Sequence, residues 1–427
     1  MNCIEYEAPK MKVCQGVAAC GMPIYLFPRT GFQTKYAFLA VQYGGCDRRF
    51  RKNGHWKNTP AGIAHFLEHK MFDMPGYNAM ETLTAMGASP NAFTANGMTG
   101  YLFSCVDRPT DNLRELIRYV TTPYFTDDSV AKEQGIIAQE IRMGDDNPSR
   151  RVRQELMKLL YREHPARDSI AGTVQSISGI NAKLLNDCYD SFYIPSNMVL
   201  CCAGEWEPDR VEALVNELLP VRSRKKPPIR NYGREESLLP TAQTVNTNME
   251  VSMPLFMLGS RLSWCEDGEE WSKLLLLADV SCELLMGEGA PLYTELYREE
   301  LISRDFYSGS FDIPQGGVCC AGGRSPRPLE LMERISAAAV GFRADSAARE
   351  RLTGMMRARE GKFIMMLDSL DGLCHTQAEG HFGGWNQMNF GKHCREITPE
   401  LVERFLHETF APERIAISTV TPTETAR

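Results

Sequence analysis

The chain has 427 residues, of which 43% are hydrophobic and 24% are charged, so its composition is typical of a globular protein with two or three domains. Its formal net charge of −7 argues against a nucleic-acid-binding protein, because no basic excess is available to neutralise phosphates. No apolar run approaches the roughly 20 residues that cross a bilayer, and residues 1–12 lack the apolar core of a secretory signal. We therefore expect a cytoplasmic protein whose 14 cysteines are reduced thiols.

Two β-rich segments, residues 22–28 and 36–43, predict strands, and a helix is predicted to follow them. Thr59 is a residue type that caps helix N-termini, and Pro60 suits the first helical position, where its missing N–H costs nothing. The sequence therefore predicts that this helix begins at Pro60 and continues to about Phe72.

The predicted helix contains a possible metal site. His65 and His69 lie four residues apart on one face, so both imidazoles can bind a single zinc ion. Glu68 lies beside them, where it could take a proton from an attacking water. The order His-x-x-Glu-His is that of the inverted zincins. The alternative is a pair of surface histidines that form an ion pair with a neighbouring glutamate.

A hairpin is predicted next. Asn96-Gly97 joins two strand-like segments, residues 89–95 and 98–106, and is a strong hairpin signal. Pro90 in the first arm favours an edge strand. An edge strand beside a metal site could bind an extended peptide by adding it as a further strand. The alternative is an ordinary hairpin that binds nothing.

A further helix is predicted at residues 127–143. Its Glu133 and Glu140 are seven residues apart, about two turns, and therefore share a face. A zinc ion held by two histidines needs a third protein ligand, and a carboxylate is a common choice. Either residue alone could equally be a solvated surface charge.

The basic, proline-rich run after Pro220 predicts a linker at residues 221–233, between domains at residues 1–220 and 234–427. The second domain loosely repeats the first. Its long predicted helix, residues 270–286, stands where the first domain has its histidine helix but contains no histidine. His375 and His381 are read as ordinary histidines, since no carboxylate accompanies them at ligand spacing.

With these motifs in place, the chain resembles the pitrilysin/insulinase family of zinc metallopeptidases, and more closely its half-size bacterial branch related to the mitochondrial processing peptidase. The resemblance is strongest over residues 20–220. It rests on four motifs in the family's order, which are Gly62-Ile63-Ala64-His65-Phe66-Leu67-Glu68-His69, Asn91-Ala92-Phe93-Thr94, Glu133-x6-Glu140-Ile141 and Phe192-Tyr193-x-Pro195-x-Asn197-Met198.

The resemblance assigns roles to several of these residues. It implies that Glu140 is the third zinc ligand and that Glu133 supports the site from behind. It implies that Asn91, Ala92 and Phe93 form the edge strand for substrate. The implied fold is α+β, with two similar domains, each a mostly antiparallel sheet flanked by helices, enclosing a chamber.

The implied activity is that of an endopeptidase that uses one Zn²⁺ per chain to hydrolyse short or unfolded peptides. Two other functions stay open: a catalytically silent structural subunit, and a peptide-binding module of a peptidase-like assembly. A silent subunit would have no use for an intact ligand set, and a binding module would not need the base at Glu68.

One family feature is not matched. In the family, the second domain usually supplies an arginine and, seven residues later, a tyrosine that reach the substrate. The corresponding residues here, Arg298 and Tyr307, are nine residues apart. We therefore expect a heterodimer, in which a homologous subunit without the zinc motif supplies both groups. The alternative is that the loop between Arg298 and Tyr307 compensates for the two extra residues.

Overall fold

The computed structural model describes residues 1–7, 9–219, 226–234 and 236–423. Helical residues make up 45% of the structure and strand residues 23%, which confirms the α+β class. The strands, labelled β1 to β16 in chain order, are Asn2–Tyr6, Met11–Val17, Pro23–Pro28, Lys35–Val41, Arg49–Lys52, His55–Asn58, Asp73–Met74, Tyr77–Asn78, Ala88–Thr94, Thr99–Cys105, Met198–Gly204, Thr244–Met249, Leu255–Leu262, Tyr307–Ile313, Gly316–Arg324 and Ala416–Pro422.

The α-helices, labelled α1 to α15, are Ile63–Lys70, Ala79–Ala85, Pro109–Val120, Asp127–Asp145, Pro148–Leu160, Val174–Ile177, Ala182–Phe192, Pro208–Leu218, Gly268–Met286, Pro291–Arg298, Pro328–Gly341, Ser346–Met366, Leu370–Gly383, Phe390–Glu396 and Pro399–Thr409. Short 3-10 helices occur at Pro165–Arg167, Pro195–Asn197 and Gln387–Asn389. None of the helices in the described ranges is long and apolar enough to span a membrane.

The chain forms two compact units, each built from three segments. The first unit consists of Met1–Ile141, Ser169–Asn231 and Lys362–Met388, and the second of Arg142–Asp168, Tyr232–Gly361 and Asn389–Arg427. The units therefore differ from the predicted domains by two exchanged segments. Residues 142–168 belong to the second unit and residues 362–388 to the first, and neither exchange is visible in the order of the chain.

The first unit is built on a seven-stranded sheet with the order β1-β2-β3-β11-β4-β10-β9. Neighbouring strands are antiparallel except β3 and β11. Side chains alternate along β4, so Leu39 and Val41 enter the core on one face while Phe38 and Ala40 enter the core on the other. Helices α1 and α3 contact β10 on the face of Leu39 and Val41, and α13 packs on β4 and β11 on the face of Phe38 and Ala40.

The second unit contains a five-stranded sheet with the order β12-β16-β13-β15-β14. This order matches that of β3-β11-β4-β10-β9 in the first unit, including the single parallel pair at the same position. Helix α9 packs on β14 and β15, and its buried residues include Trp271, Val280 and Leu284. The two sheets thus share one topology, as the loose sequence repeat predicted.

The predicted linker is only partly described, because residues 221–225 lie outside the described ranges. Its C-terminal part is tied to the first unit. Arg230 Nε lies 2.9 Å from a carboxylate oxygen of Asp47, which is only 1% exposed. The backbone N–H of Arg51 donates to the carbonyl of Ile229 at 2.9 Å. These residues therefore belong to the fold of the first unit.

The expectation of reduced thiols is wrong for one pair of cysteines. Cys3 and Cys14 are directly opposite each other in the antiparallel register of β1 and β2, and they form a disulfide. The other twelve cysteines are free. Among them, Cys201 and Cys202 are buried residues of β11. The strand register that brings Cys3 to Cys14 is not readable from their spacing.

Candidate metal centre and edge strand

Helix α1 positions the histidine motif, but it begins later than predicted. Its N-cap is Gly62, at φ 96°, and Thr59 instead donates its hydroxyl to the carbonyl of Arg48 at 3.0 Å. A Cβ atom at Gly62 would lie 2.6 Å from the carbonyl oxygen of Ala171. Only glycine accepts both this left-handed backbone and this close approach. The motif therefore enters its helix through a turn that packing requires.

Three side chains of the first unit form a group with the donor atoms of a zinc site. His65, His69 and Glu140 each offer one ligand atom, and these atoms all lie within 4.8 Å of one another. The Nε2 atoms of His65 and His69 are each 3.6 Å from a carboxylate oxygen of Glu140. Two imidazoles and one carboxylate are a donor set that zinc uses in catalytic sites, with a fourth position left for water or substrate. The residues present therefore fit zinc.

Glu133 occupies a different place from Glu140. Its Oε1 lies 3.0 Å from Nδ1 of His69, the ring nitrogen that does not face Glu140. Donation from Nδ1–H to this carboxylate leaves the Nε2 lone pair available to a metal. The hydrogen bond from His69 lowers the pKa of Glu133. Burial disfavours the His69 imidazolium, but the bond to Glu133 and the nearby carboxylates outweigh it and raise the pKa of His69.

Glu68 lies on the same helix but is not part of the ligand group. Its side chain is buried, and one carboxylate oxygen, Oε2, accepts a hydrogen bond from the hydroxyl of Thr94 at 2.6 Å. Burial raises the pKa of Glu68, and the hydrogen bond from Thr94 opposes that rise. A carboxylate with these properties suits proton transfer beside a metal.

The proposed substrate residues lie on the edge strand of the first unit. β9 contains Asn91, Ala92 and Phe93 and is the last strand of its sheet in the described part of the chain. Ala95 donates its N–H to the carbonyl of Met98 within the hairpin, at 2.8 Å. Because backbone groups alternate in direction along a strand, those of Ala92 point to the open edge. The N–H of Ala92 donates to the side-chain oxygen of Asn91 at 2.9 Å.

Phe93 points to the opposite face of the sheet from Ala92. Its ring stacks with those of Phe38 and His375, at centroid distances of 5.9 and 5.3 Å. His375 also forms a hydrogen bond with the hydroxyl of Tyr36 at 2.9 Å. The two histidines at positions 375 and 381 therefore hold α13 against the sheet, since His381 pairs with Tyr25 in the same way.

Arg298 and Tyr307 both belong to the second unit. Arg298 is the last residue of α10, and its side chain is exposed. Tyr307 is the first residue of β14, the edge strand of the second sheet, and is 51% exposed. Neither residue belongs to the cluster that contains the histidine motif, which lies wholly within the first unit.

Two residues with a clear place at the site received no role from the sequence. In the sequence, Thr94 is only the last residue of the Asn91–Thr94 motif. Lys70 follows His69, and although it is only 1% exposed it forms an ion pair with Asp73 and donates to the carbonyl of Ser129 at 3.3 Å. A buried lysine needs such partners. The only sequence signal for a role of Lys70 is its position next to the motif. That position does not reveal that Lys70 joins α1 to the start of α4.

Comparison with known proteins agrees with this arrangement. The sequence matches the family model described as "Insulinase (Peptidase family M16)" over residues 52–174 and the model described as "Peptidase M16 inactive domain" over residues 179–335. It is 33% identical over 427 residues to YmfH of Bacillus subtilis, described as an uncharacterized zinc protease. That alignment covers 98% of this chain and 99% of YmfH.

Solved structures show the same relationship. The structure of a protein described as an M16-like peptidase from Alicyclobacillus acidocaldarius is similar with a TM-score of 0.90 and 31% identity, over 98% of this chain and 100% of that chain. The periplasmic protease PqqL from Escherichia coli shares the fold with a TM-score of 0.74 at 17% identity. The match covers 96% of this chain but only 48% of PqqL. The chain therefore belongs to the insulinase family of peptidases, family M16, in its half-size form.

Proposed function

We propose that this chain is a zinc-dependent endopeptidase that hydrolyses short or unfolded peptides as the catalytic subunit of a heterodimer. One observation carries the proposal: two members of a three-residue zinc ligand group, His65 and His69, lie on the same short helix as Glu68, a buried carboxylate outside that group. His65, His69 and Glu140 are the proposed ligands of one zinc ion. Glu68 is the proposed general base, with Glu133 supporting His69. The names of the zinc protease relatives are consistent with this proposal.

The proposed reaction divides the work among the chain's own residues. Zinc, when bound, polarises the scissile carbonyl and lowers the pKa of the attacking water. Glu68 takes a proton from that water as its oxygen attacks the carbonyl carbon, and returns the proton to the leaving amine when the C–N bond breaks. The edge strand β9 holds the peptide by pairing with the outward backbone groups of Ala92. An extended, unfolded segment is the only kind of substrate that can pair in this way.

The substitution Glu68→Gln tests this function. We expect the variant to keep its zinc and its affinity for a ten-residue internally quenched peptide. Its turnover should fall by roughly 10²–10⁴-fold, the usual contribution of a positioned proton-transfer group. The matched control is Glu81→Gln, an exposed glutamate on α2, which should leave turnover unchanged. The measurements are zinc content, peptide affinity by calorimetry, and initial rates with and without the partner subunit.

The result also separates the competing functions. Turnover by Glu68→Gln close to that of the wild type would contradict the proposed base. A wild-type protein that holds zinc and binds the peptide but never cleaves it, even with the partner present, would instead be a silent subunit or a peptide-binding module.

A further inference from the structure

We propose that Thr94 is a positioning residue for Glu68: its hydroxyl holds the Oε2 oxygen of the carboxylate, so that the Oε1 oxygen takes the proton of the attacking water. The inference rests on the proposed function and deepens it. It concerns a residue of the edge strand, and it therefore links the peptide-binding segment to the proposed base by one hydrogen bond.

The direction of this hydrogen bond follows from the neighbouring hydroxyl. Thr94 Oγ1 is 2.6 Å from Glu68 Oε2 and 3.4 Å from Oγ1 of Thr99. Thr99 is fully buried and donates its own hydrogen to the carbonyl of Tyr43 at 2.8 Å. An ionised carboxylate can only accept, so the hydrogen of Thr94 is directed to Glu68. Each hydroxyl then has one acceptor, and the two do not compete.

The end of β9 that carries Thr94 is held firmly. The N–H of Gly45 donates to the carbonyl of Ala95, and that of Cys46 donates to the carbonyl of Asn96, both at 2.9 Å. A Cβ atom at Gly44 would lie only 2.5 Å from the Ala95 oxygen, so this loop packs directly against the turn that follows Thr94. A group that orients a catalytic side chain needs such support, because misplacement by about 1 Å can cost a large part of the rate.

The consequence for the reaction is a division between the two oxygens of Glu68. Oε2 has a donor in Thr94, so Oε1 is the oxygen left to accept the water proton and later to release it to the amine nitrogen. Oε2 accepts from Thr94 in both protonation states, so the carboxyl plane keeps its orientation through both proton transfers. Loss of the hydroxyl should therefore affect the chemical step more than peptide binding.

Two matched variants test the role of the hydroxyl. Thr94→Val keeps the β-branched shape and removes the donor, whereas Thr94→Ser keeps the donor. With the ten-residue internally quenched peptide, we expect Thr94→Val to lower kcat by about 10- to 100-fold, the value of a hydrogen bond to a charged group. KM should stay within about 3-fold, and Thr94→Ser should restore kcat to within about 3-fold of the wild type. Zinc content should be unchanged in both variants.

A binding measurement makes the test independent of turnover. A dipeptide hydroxamate releases a proton on binding a metal, and Glu68 is the group placed to accept that proton. Its affinity for the zinc-loaded protein, measured by calorimetry, should weaken about 10-fold in Thr94→Val and stay unchanged in Thr94→Ser. Thr94→Ala provides the same comparison if the valine variant does not fold.

The outcomes separate this inference from the proposed function. Unchanged kcat and unchanged hydroxamate affinity in Thr94→Val would overturn the role of Thr94 while leaving the peptidase intact. A rise in KM equal to the fall in kcat, without rescue by serine, would make Thr94 a structural residue of the edge strand. If the wild type binds zinc but cleaves no peptide, the proposed function fails, and the hydroxamate affinities alone decide whether Thr94 orients Glu68.

Discussion

The two imidazole nitrogens of His69 face two different carboxylates of α4. Nδ1 contacts Glu133 at 3.0 Å, and Nε2 lies 3.6 Å from Glu140. One helix thus carries both a proposed zinc ligand and a residue that orients another ligand. The two residues are the same chemical type, seven residues apart, and they differ only in which nitrogen of the same ring they approach.

This difference predicts unequal effects on zinc. We expect about one zinc per chain, and its loss in His65→Ala and in His69→Ala, because each variant removes a ligand. Glu140→Gln should weaken zinc retention more than Glu133→Gln, for which roughly 10- to 100-fold in affinity is the usual cost of losing an outer partner. Competition with a chelator measures these affinities. If Glu133→Gln strips the zinc while Glu140→Gln keeps it, the two carboxylates have been assigned in reverse.

At the scale of elements, β9 and α13 belong to different parts of the first sheet: β9 is its edge strand, and α13 packs on one of its faces. β9 offers backbone groups at its open edge, and α13 covers the face of the sheet opposite α1. Phe93 connects the two, since it belongs to the edge strand and stacks on His375 of α13. We therefore make one prediction about peptide binding from β9 and one about the pH dependence of stability from α13.

Peptide pairing with β9 predicts that its backbone matters more than its side chains. Ala92→Pro removes an outward N–H that donates to Asn91 and not to β10, so the sheet should survive the change. We expect KM to rise about 10-fold or more in Ala92→Pro, whereas Ala92→Ser should change it by less than about 3-fold. Steady-state kinetics with the same peptide measure both. Similar effects from proline and serine would argue against strand addition.

The attachment of α13 predicts lower stability in acid. Burial lowers the pKa of His375 despite the opposing charge of Asp371, so the folded state favours the neutral imidazole. The contribution of neutral His375 to the free energy of unfolding is fully present above the unfolded pKa of about 6.5. It is lost as the pH falls below that value, because the unfolded chain then binds the proton more readily than the folded chain does. The measurement is the thermal unfolding temperature in the presence of a chelator, which removes any effect of zinc. Below pH 6.5, this temperature should fall less steeply with decreasing pH in His375→Phe than in the wild type.

The control for this prediction is His55→Phe, which changes an exposed histidine of β6. It should keep the wild-type dependence of the unfolding temperature on pH. If the unfolding temperature of His375→Phe depends on pH as steeply as that of the wild type, neutral His375 does not stabilise the fold. His375→Phe preserves an aromatic ring against Phe38 and Phe93, so lost stacking does not explain a difference.

At the scale of the whole molecule, two units of matching sheet topology differ in chemistry. The ligand group lies in the first unit, and α9 of the second unit contains no histidine. The nine-residue spacing of Arg298 and Tyr307 departs from the family's seven. We propose that the two extra residues misplace these groups, which must be held to within about 1 Å. This departure is the basis for proposing a second, homologous subunit.

The heterodimer makes a prediction about activity. This chain alone should cleave the quenched peptide weakly, and addition of a homologous subunit without the zinc motif should restore cleavage. Within the pair, Arg298→Ala and Tyr307→Phe should be nearly silent, because the partner supplies the corresponding groups. Initial rates of the isolated chain and of the mixture provide the measurement. Strong cleavage by the isolated chain that collapses on either substitution would instead show that the chain's own loop compensates.

Local periodicity in the sequence was sufficient for the features that depend on neighbouring residues. Helical spacing placed His65 and His69 on one face, and Asn96-Gly97 predicted the hairpin whose first arm is the edge strand. These predictions hold because the helix repeat and the turn are decided within a few residues. The family motifs extended the prediction to the α+β fold and to the peptidase family.

Tertiary packing decided what depends on residues far apart in the chain. His69 and Glu133 are 64 residues apart, and Glu68 and Thr94 are 26 apart, yet both pairs are in hydrogen-bond contact. Packing of Gly62 against Ala171 sets the start of α1 at Ile63, and the return of residues 362–388 to the first unit places α13 on its sheet. No local pattern encodes these contacts, because each depends on how separate elements are oriented when their apolar faces are buried together.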